Sequence, residues 1–302
     1  MILVYGHGDD PPIERLVAAL HTAGAHFQLL DIAALAQATL HLQVGPQGMA
    51  GELVVVGGVC TALADIRAVY ARPLEPAVAD LAEPAKKHAL ALHRQLVEWL
   101  DVTPARVVSR PAAMQANASK PLQAQWIGEA GFLVPSTLVT SDEAEVRAFR
   151  RTHGRVVFKS ISGIRSIVTE LDDTWLSRMH RLAQLPTQFQ AHVPGVDVRV
   201  HVVGQQALAA QITSTATDYR YAHRSGTAPQ VVATTLPPAV AAQCVAMSQA
   251  MGLPLSGIDL RLRPDGQYVC FEVNPMPAFS YFEAESGLPI AAALAGLLMG
   301  SV

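Results

Sequence analysis

Two short stretches decide the fold: Gly257-Ile258-Asp259-Leu260-Arg261 and Phe271-Glu272-Val273-Asn274-Pro275. Both read as strands, and Pro264-Asp265-Gly266 between them carries the Asp-Gly signal of a two-residue hairpin turn. With Asp265-Gly266 as that turn, Asp259 faces Glu272 across the pair. Side chains alternate along a strand, so Glu272 and Asn274 share one face. Two carboxylates and a carboxamide then converge. Facing carboxylates repel unless a cation sits among them. An all-oxygen donor set suits a hard ion such as magnesium, with phosphates filling its other positions. The plainer alternative is a solvated hairpin with a polar wet face, and these residues alone leave both readings open.

The remainder of the chain narrows the choice. Its 302 residues suffice for two or three small domains with separate cores. Half the residues are apolar and 16% are charged, which describes a globular protein with little disorder. A net charge of −3 without a basic tract argues against nucleic acid or an anionic membrane as principal partner. Cys60, Cys244 and Cys270 lie far apart in apolar runs, with no Cys-x-x-Cys spacing, and read as core residues of a reducing compartment. Met1-Ile2-Leu3-Val4-Tyr5 is a strand without the features of a signal peptide, and the apolar run from Leu288 to Val302 is too short to span a bilayer. A cytoplasmic location is expected.

Organisation follows from periodicity. Residues 1–110 alternate strand and helix signals: Ile2–Tyr5, Ile13–Ala23, His26–Leu30, Leu53–Val56, Ala68–Arg72 and the helix Pro84–Leu100. This predicts an N-terminal α/β layer. No Gly-x-Gly-x-x-Gly fingerprint follows a strand, so a nicotinamide site is not expected. In residues 111–192, Ser119 caps a helix that Gly131 stops. Pro135–Thr140 begins a strand, Asp142 starts a helix, and Arg155–Ile161, Ser166–Leu171 and Thr187–Val193 are strands. Residues 193–302 read as mostly antiparallel, with strands at Asp197–Val203, Ala207–Ser214 and Val231–Thr235 before the hairpin. Helices are expected at Ala239–Met251 and Pro289–Met299.

Several polar residues stand out against this frame. Lys159 ends an apolar strand before a loop of small residues, where it can reach a phosphate as a point charge; as an edge-strand lysine it would only deter aggregation. Lys120 follows Asn117-Ala118-Ser119 at a helix start, where backbone donors and the dipole favour an anion. Arg199, between Val198 and Val200, shares the polar face with Asp197 and His201 and can clamp phosphate or carboxylate, or form a cross-strand ion pair. Asp218 and Arg220 fall in a loop beyond a strand. His192, His201 and His223 match no zinc spacing and read as structural. There is no Gly-x-Ser-x-Gly elbow and no cysteine placed as a nucleophile.

Taken in order, these segments resemble the ATP-grasp ligases. A lysine follows Asn-x-Ser, a second lysine ends a strand, a glutamine-containing strand leads to Asp-x-Arg-x-x-Val-x-Gly, and Asp and Glu-x-Asn-Pro follow. The fold this implies has three parts: an N-terminal α/β domain (1–110), a small central lid subdomain (111–192) and an antiparallel C-terminal subdomain holding the metal (193–302). Within the superfamily the chain looks RimK-like, and closer still to the microviridin-type graspetide synthetases. Tyr70-Ala71-Arg72-Pro73, the run from Ala116 to Gln123, Gly131–Leu138, Asp218-Tyr219-Arg220 and Ser286–Ile290 carry that likeness. It departs at Ala71 and at Met276-Pro277-Ala278-Phe279-Ser280-Tyr281, where that branch has Arg and Gly-Gln-Trp-x-Trp; both changes fall on the expected substrate side.

The resemblance implies site roles. Lys120 and Lys159 hold ATP phosphates, and Gln190, Ala191, His192 and Val193 line the adenine. Asp259, Glu272 and Asn274 hold magnesium, as two ions, with manganese able to substitute. Arg199, with Arg220 and Asp218, serves the reacting groups, while Arg72, Phe279 and Tyr281 face the substrate. The implied reaction is ADP-forming ligation of a small-molecule or peptide carboxylate to an amine or hydroxyl acceptor through an acyl phosphate, in a homo-oligomer. A phosphotransferase using the same cradle and a nucleotide-binding protein without turnover are the alternatives.

Overall fold

The computed structural model describes residues 1–46, 48–160, 168–214 and 229–300. The N-terminal layer runs β1 (Ile2–Gly6), α1 (Pro11–Thr22), β2 (Phe27–Asp31), β3 (Thr39–Gly45), β4 (Gly48–Val54), β5 (Cys60–Ala62), β6 (Ala68–Ala71), α2 (Glu83–Val102) and β7 (Arg106–Val108). Its parallel sheet has the order β2-β1-β6-β7. Pro11-Pro12 opens α1 where the first N–H groups need no helical partner, and Ile13, Leu16 and Leu20 form its buried stripe at helical spacing. Of the run Leu53–Val56, expected among the layer's strands, Leu53 and Val54 belong instead to an antiparallel sheet β3-β4-β5, and residues 55 and 56 lie beyond the strand. Cys60 sits on the short last strand of that sheet and is exposed, contrary to its reading as a core residue; its thiol donates to Glu52 Oε2 at 3.0 Å.

The middle of the chain folds as α3 (Pro111–Met114), α4 (Lys120–Glu129), β8 (Thr137–Thr140), α5 (Glu143–His153), β9 (Val156–Ser160), β10 (Thr169–Glu170), α6 (Asp173–Leu176) and β11 (Thr187–Ala191). Ser119 and Asp142 cap α4 and α5 through side-chain oxygens that accept from Leu122 and Ala144 N–H. The four strands form an antiparallel sheet, β10-β9-β11-β8. This lid has its own small core around Val146, Val156, Leu171 and Phe189.

The rest comprises β12 (Val196–Val203), β13 (Gln206–Thr213), β14 (Gln230–Thr234), α7 (Pro238–Ala250), β15 (Leu255–Leu262), β16 (Tyr268–Asn274), α8 (Ser280–Ser286) and α9 (Ile290–Met299). Its sheet is antiparallel in the order β14-β13-β12-β15-β16. One continuous core joins this sheet to the N-terminal layer: Ile13, Leu16 and Leu20 of α1 belong to the same buried cluster as Phe279, Leu294 and Leu298.

The β15–β16 hairpin places Asp259 opposite Glu272 and Gly257 opposite Asn274. It does so by a different route from the two-residue turn. Arg263 N–H bonds Gln267 O at 2.9 Å, so the loop is three residues, Pro264-Asp265-Gly266, with Gly266 at φ +82°. Near the turn Leu260 faces Cys270, and the register then shifts by one at Phe271. The β-bulge at Phe271 restores the Asp259–Glu272 pairing and turns Phe271 and Glu272 toward the same cleft.

Candidate functional site

A cleft opens between the lid sheet and the five-stranded sheet. Lys159 and Gln190–Val193 line it from the lid, while Asp259, Arg261, Phe271 and Glu272 line it from the hairpin. Lys159 is 9% exposed, on a strand flanked by β10 and β11, so it is not an edge-strand charge. Gln190 lies on β11, its amide donating to Thr137 Oγ1 at 3.1 Å. Ala191 and His192 carry the strand out of the sheet, their N–H groups bonded to Ser136 O and Arg155 O. Burial, with Arg155 and Arg261 nearby, holds the His192 imidazole below its ordinary pKa.

Each carboxylate of the hairpin faces a cation. Arg199, 5% exposed on β12 and directly opposite Asp259, donates from Nη1 to Asp259 Oδ1 at 2.6 Å. Lys120, at the first turn of α4, pairs with Glu272 and donates to Asn117 Oδ1 at 3.0 Å. Asn274 ends β16, its Oδ1 accepting from Met276 N–H at 3.0 Å, which fixes the carboxamide beside the carboxylates. Among the described residues no three His, Cys, Asp or Glu side chains form a metal cluster. The donor set here is two carboxylates and an amide. Oxygen donors on one strand pair, near Lys120, Arg199 and Lys159, would suit a hard divalent ion.

Close packing supports this arrangement. Gly257 lies under the Arg199 guanidinium, and a Cβ there would stand 2.1 Å from Nη2 and 2.8 Å from Pro277 Cβ. A buried glutamine that sequence reasoning assigned no role, Gln123 of α4, grips the backbone between Glu272 and Asn274. Its amide donates to Val273 O at 2.8 Å and accepts from Val273 N–H at 3.1 Å. The same helix carries Lys120, so one element sets both lysine and strand. The signal was available, since Lys120 and Gln123 are three apart and share a helix face.

Arg72 extends from the end of β6, buried, with Nε on Asp10 Oδ2 at 2.5 Å and Nη1 reaching Met276 O and Pro277 O at 3.4 and 3.3 Å. It clasps the loop after β16 to the N-terminal layer. Phe279 does not face the cleft: its ring is fully buried in the core shared by α1 and α9, because its position just before α8 points it inward. Tyr281, on α8, is 42% exposed. Asp218, Arg220 and His223 lie outside the described residues, as does the small-residue loop after Ser160. His201 is buried, and among the described residues neither of its ring nitrogens finds a hydrogen-bond partner. Burial and then Arg199 push its pKa well below the ordinary value.

A profile of the RimK-like ATP-grasp domain matches residues 125–298. The fold superposes on the ATP-grasp ligase PsnB, solved with a phosphomimetic variant of its minimal precursor, Mg and ADP. That match has TM-score 0.81 and 26% identity over 99% of this chain and 97% of that one. It is also similar to the macrocyclase MdnC of Microcystis aeruginosa MRC, solved with precursor peptide MdnA. There the TM-score is 0.82 and identity 20%, covering 99% and 100% of the two chains. A Chryseobacterium gregarium RiPP-associated ATP-grasp ligase, solved with ADP and a leader and core peptide, matches at TM-score 0.83 and 20% identity over 100% and 97%. With the family profile covering more than half its length and the carboxylate pair set in an ATP-grasp fold, the chain belongs to the RimK-like ATP-grasp family of ATP-dependent ligases.

Proposed function

We propose that this ligase activates a peptide carboxylate with ATP and joins it to an amine or hydroxyl. The observation that carries the reading is the Asp259–Glu272 pair, flanked by Asn274 and faced by Arg199 and Lys120 in one cleft. The likeness to ligases solved with precursor peptides supports a peptide as substrate.

The chemistry needs no protein nucleophile. A carboxylate oxygen attacks the γ-phosphorus of ATP, the bond to ADP breaks, and an acyl phosphate remains. The acceptor nitrogen or oxygen then attacks the acyl carbon, phosphate leaves, and the acceptor's proton is lost. Asp259, Glu272 and Asn274 would hold magnesium, which when bound would supply the charge that screens the phosphate oxygens from an incoming carboxylate. Lys120 and Lys159 hold the phosphates as point charges, and the Gln190–Val193 edge offers the adenine its wall. Arg199, fixed by Asp259 and backed by the Phe282 ring at 5.3 Å, meets the charge that develops on the transferred phosphoryl group. Tyr281 and Arg220 are assigned to the substrate side on their places in the chain. Arg72 serves that side through the loop it clasps.

Phosphate release measured with and without candidate peptides tests the reading. Ligation releases one phosphate per bond formed and leaves an unphosphorylated product. A stable phosphorylated product would make the protein a phosphotransferase, and absence of turnover with bound nucleotide would make it a binding protein. Glu272→Gln is expected to abolish turnover while the fold survives; full activity in that variant removes the metal assignment.

A further inference from the structure

The lid joins the rest of the molecule through two short segments, and both are tied to the hairpin that carries the carboxylates. On the entering side, Leu133 O accepts from Cys270 N–H at 2.8 Å. On the leaving side, Arg261 of β15 donates from Nη1 to Val193 O at 2.9 Å, and from Nε and Nη2 to Asp197 Oδ1 at 2.8 and 2.6 Å. Its guanidinium stacks over Phe271 at 5.2 Å. Between these bonds Gly195 runs so close to β15 that a Cβ would stand 2.2 Å from Leu262 O. Phe271 is the bulged residue, lying between Cys270, which anchors one segment, and Glu272.

We propose that Arg261, stacked on the bulged Phe271, is a positioning residue that pins the lid's second hinge to the carboxylate hairpin and so sets the lid's pose over the nucleotide. The guanidinium fork matches this task. It can satisfy a carbonyl and a carboxylate on either side of a turn while its flat face lies on a ring, which an ammonium cannot do. No role in touching the reacting atoms is assigned to it. The consequence for nucleotide rests on the function proposed above; the pinning itself rests on the contacts alone.

Amide hydrogen exchange of the full chain without added nucleotide tests the pinning, and Mg–ATP affinity tests its consequence. In Arg261→Ala, exchange is expected to quicken in residues 187–195 and the lid strands while the β12–β15 ladder from Val198 to Val203 keeps its protection. Affinity for Mg–ATP should fall about tenfold, the scale of one lost charged hydrogen bond. Arg261→Lys retains one charged donor and should fall between wild type and Ala in both measurements. Should Arg261→Ala not fold, Arg261→Lys decides alone. Unchanged hinge exchange, or exchange quickened equally throughout the molecule, overturns the proposal. A wild-type protein that fails to bind Mg–ATP instead counts against the nucleotide reading, and the exchange result still decides the hinge.

Discussion

At the scale of single residues, the site depends on atoms with no room to move. Gly257→Ala is expected to remove most activity, because its methyl displaces Arg199 from Asp259; the check is turnover together with thermal unfolding, which should shift less than activity does. Lys159→Ala should weaken ATP binding roughly ten- to a hundredfold with the fold intact, the worth of a phosphate contact to a charged group. An unchanged affinity by calorimetry would reduce Lys159 to a structural charge. Gln123→Ala leaves the Val273 N–H and C=O without their partner and should destabilise by about 1–3 kcal/mol, measured by denaturant unfolding. The chain announced Asp259, Glu272 and Arg199 because charges on otherwise apolar strands stand out. It hid Phe279, whose aromatic ring reads equally well as a cleft wall or as core, and only the packing of α1 against α9 decides for the core.

Whole elements were legible where their periodicity was strong. The helices α1, α2 and α5 and the strands β12 and β13 follow from apolar spacing, with prolines opening α1 and α2 and Asp142 capping α5. No strand is expected at β3 from the sequence reading above, although the alternation Leu40, Leu42, Val44 before Gly48 carries the signal of the β3–β4 hairpin. The β15–β16 pairing is subtler. An extra loop residue and an extra strand residue offset each other, so a regular ladder on a shorter turn opposes the same two carboxylates. No local propensity reports a bulge, because it is stabilised by what Phe271 packs on. On β12, His201 gives a pH-dependent prediction. Unfolded, it titrates near its ordinary pKa of about 6.5, whereas folded it titrates well below. Between those values the unfolded chain holds the extra proton, so stability falls as pH falls below about 6.5. The slope is up to about 1.4 kcal/mol per pH unit. His201→Leu should flatten the stability–pH curve by that amount, read from chemical denaturation at stepped pH.

Across the whole molecule, two bodies of packing differ in their connections. The N-terminal layer and the five-stranded sheet share a core, whereas the lid keeps its own. Heating should therefore melt the first two together, with the lid opening at lower free energy. Arg72 is the polar counterpart of that shared core. In its pair with Asp10, Arg72 is buried and Asp10 is largely shielded, and removing one partner leaves the other charge unpaired. Arg72→Ala should cost about 3–5 kcal/mol of stability, and it should impair turnover through the Met276–Pro277 loop. Differential scanning calorimetry with a parallel activity assay separates the two effects. The sequence motif around Arg72 suggested substrate contact; the bridge to a loop two hundred residues away is invisible without the fold.

The bulged hairpin has a further implication for how such chains diverge. Phe271 in the strand and one of the three residues in the Pro264–Gly266 loop are each one more than a regular two-residue hairpin between Asp259 and Glu272 needs. Either can be lost in descent without moving the two carboxylates apart in space. The stretch of chain between Asp and Glu is then free to shorten by one or two residues among relatives while the ion they would share stays where it is. Alignments that insist on a fixed spacing there will misplace the glutamate.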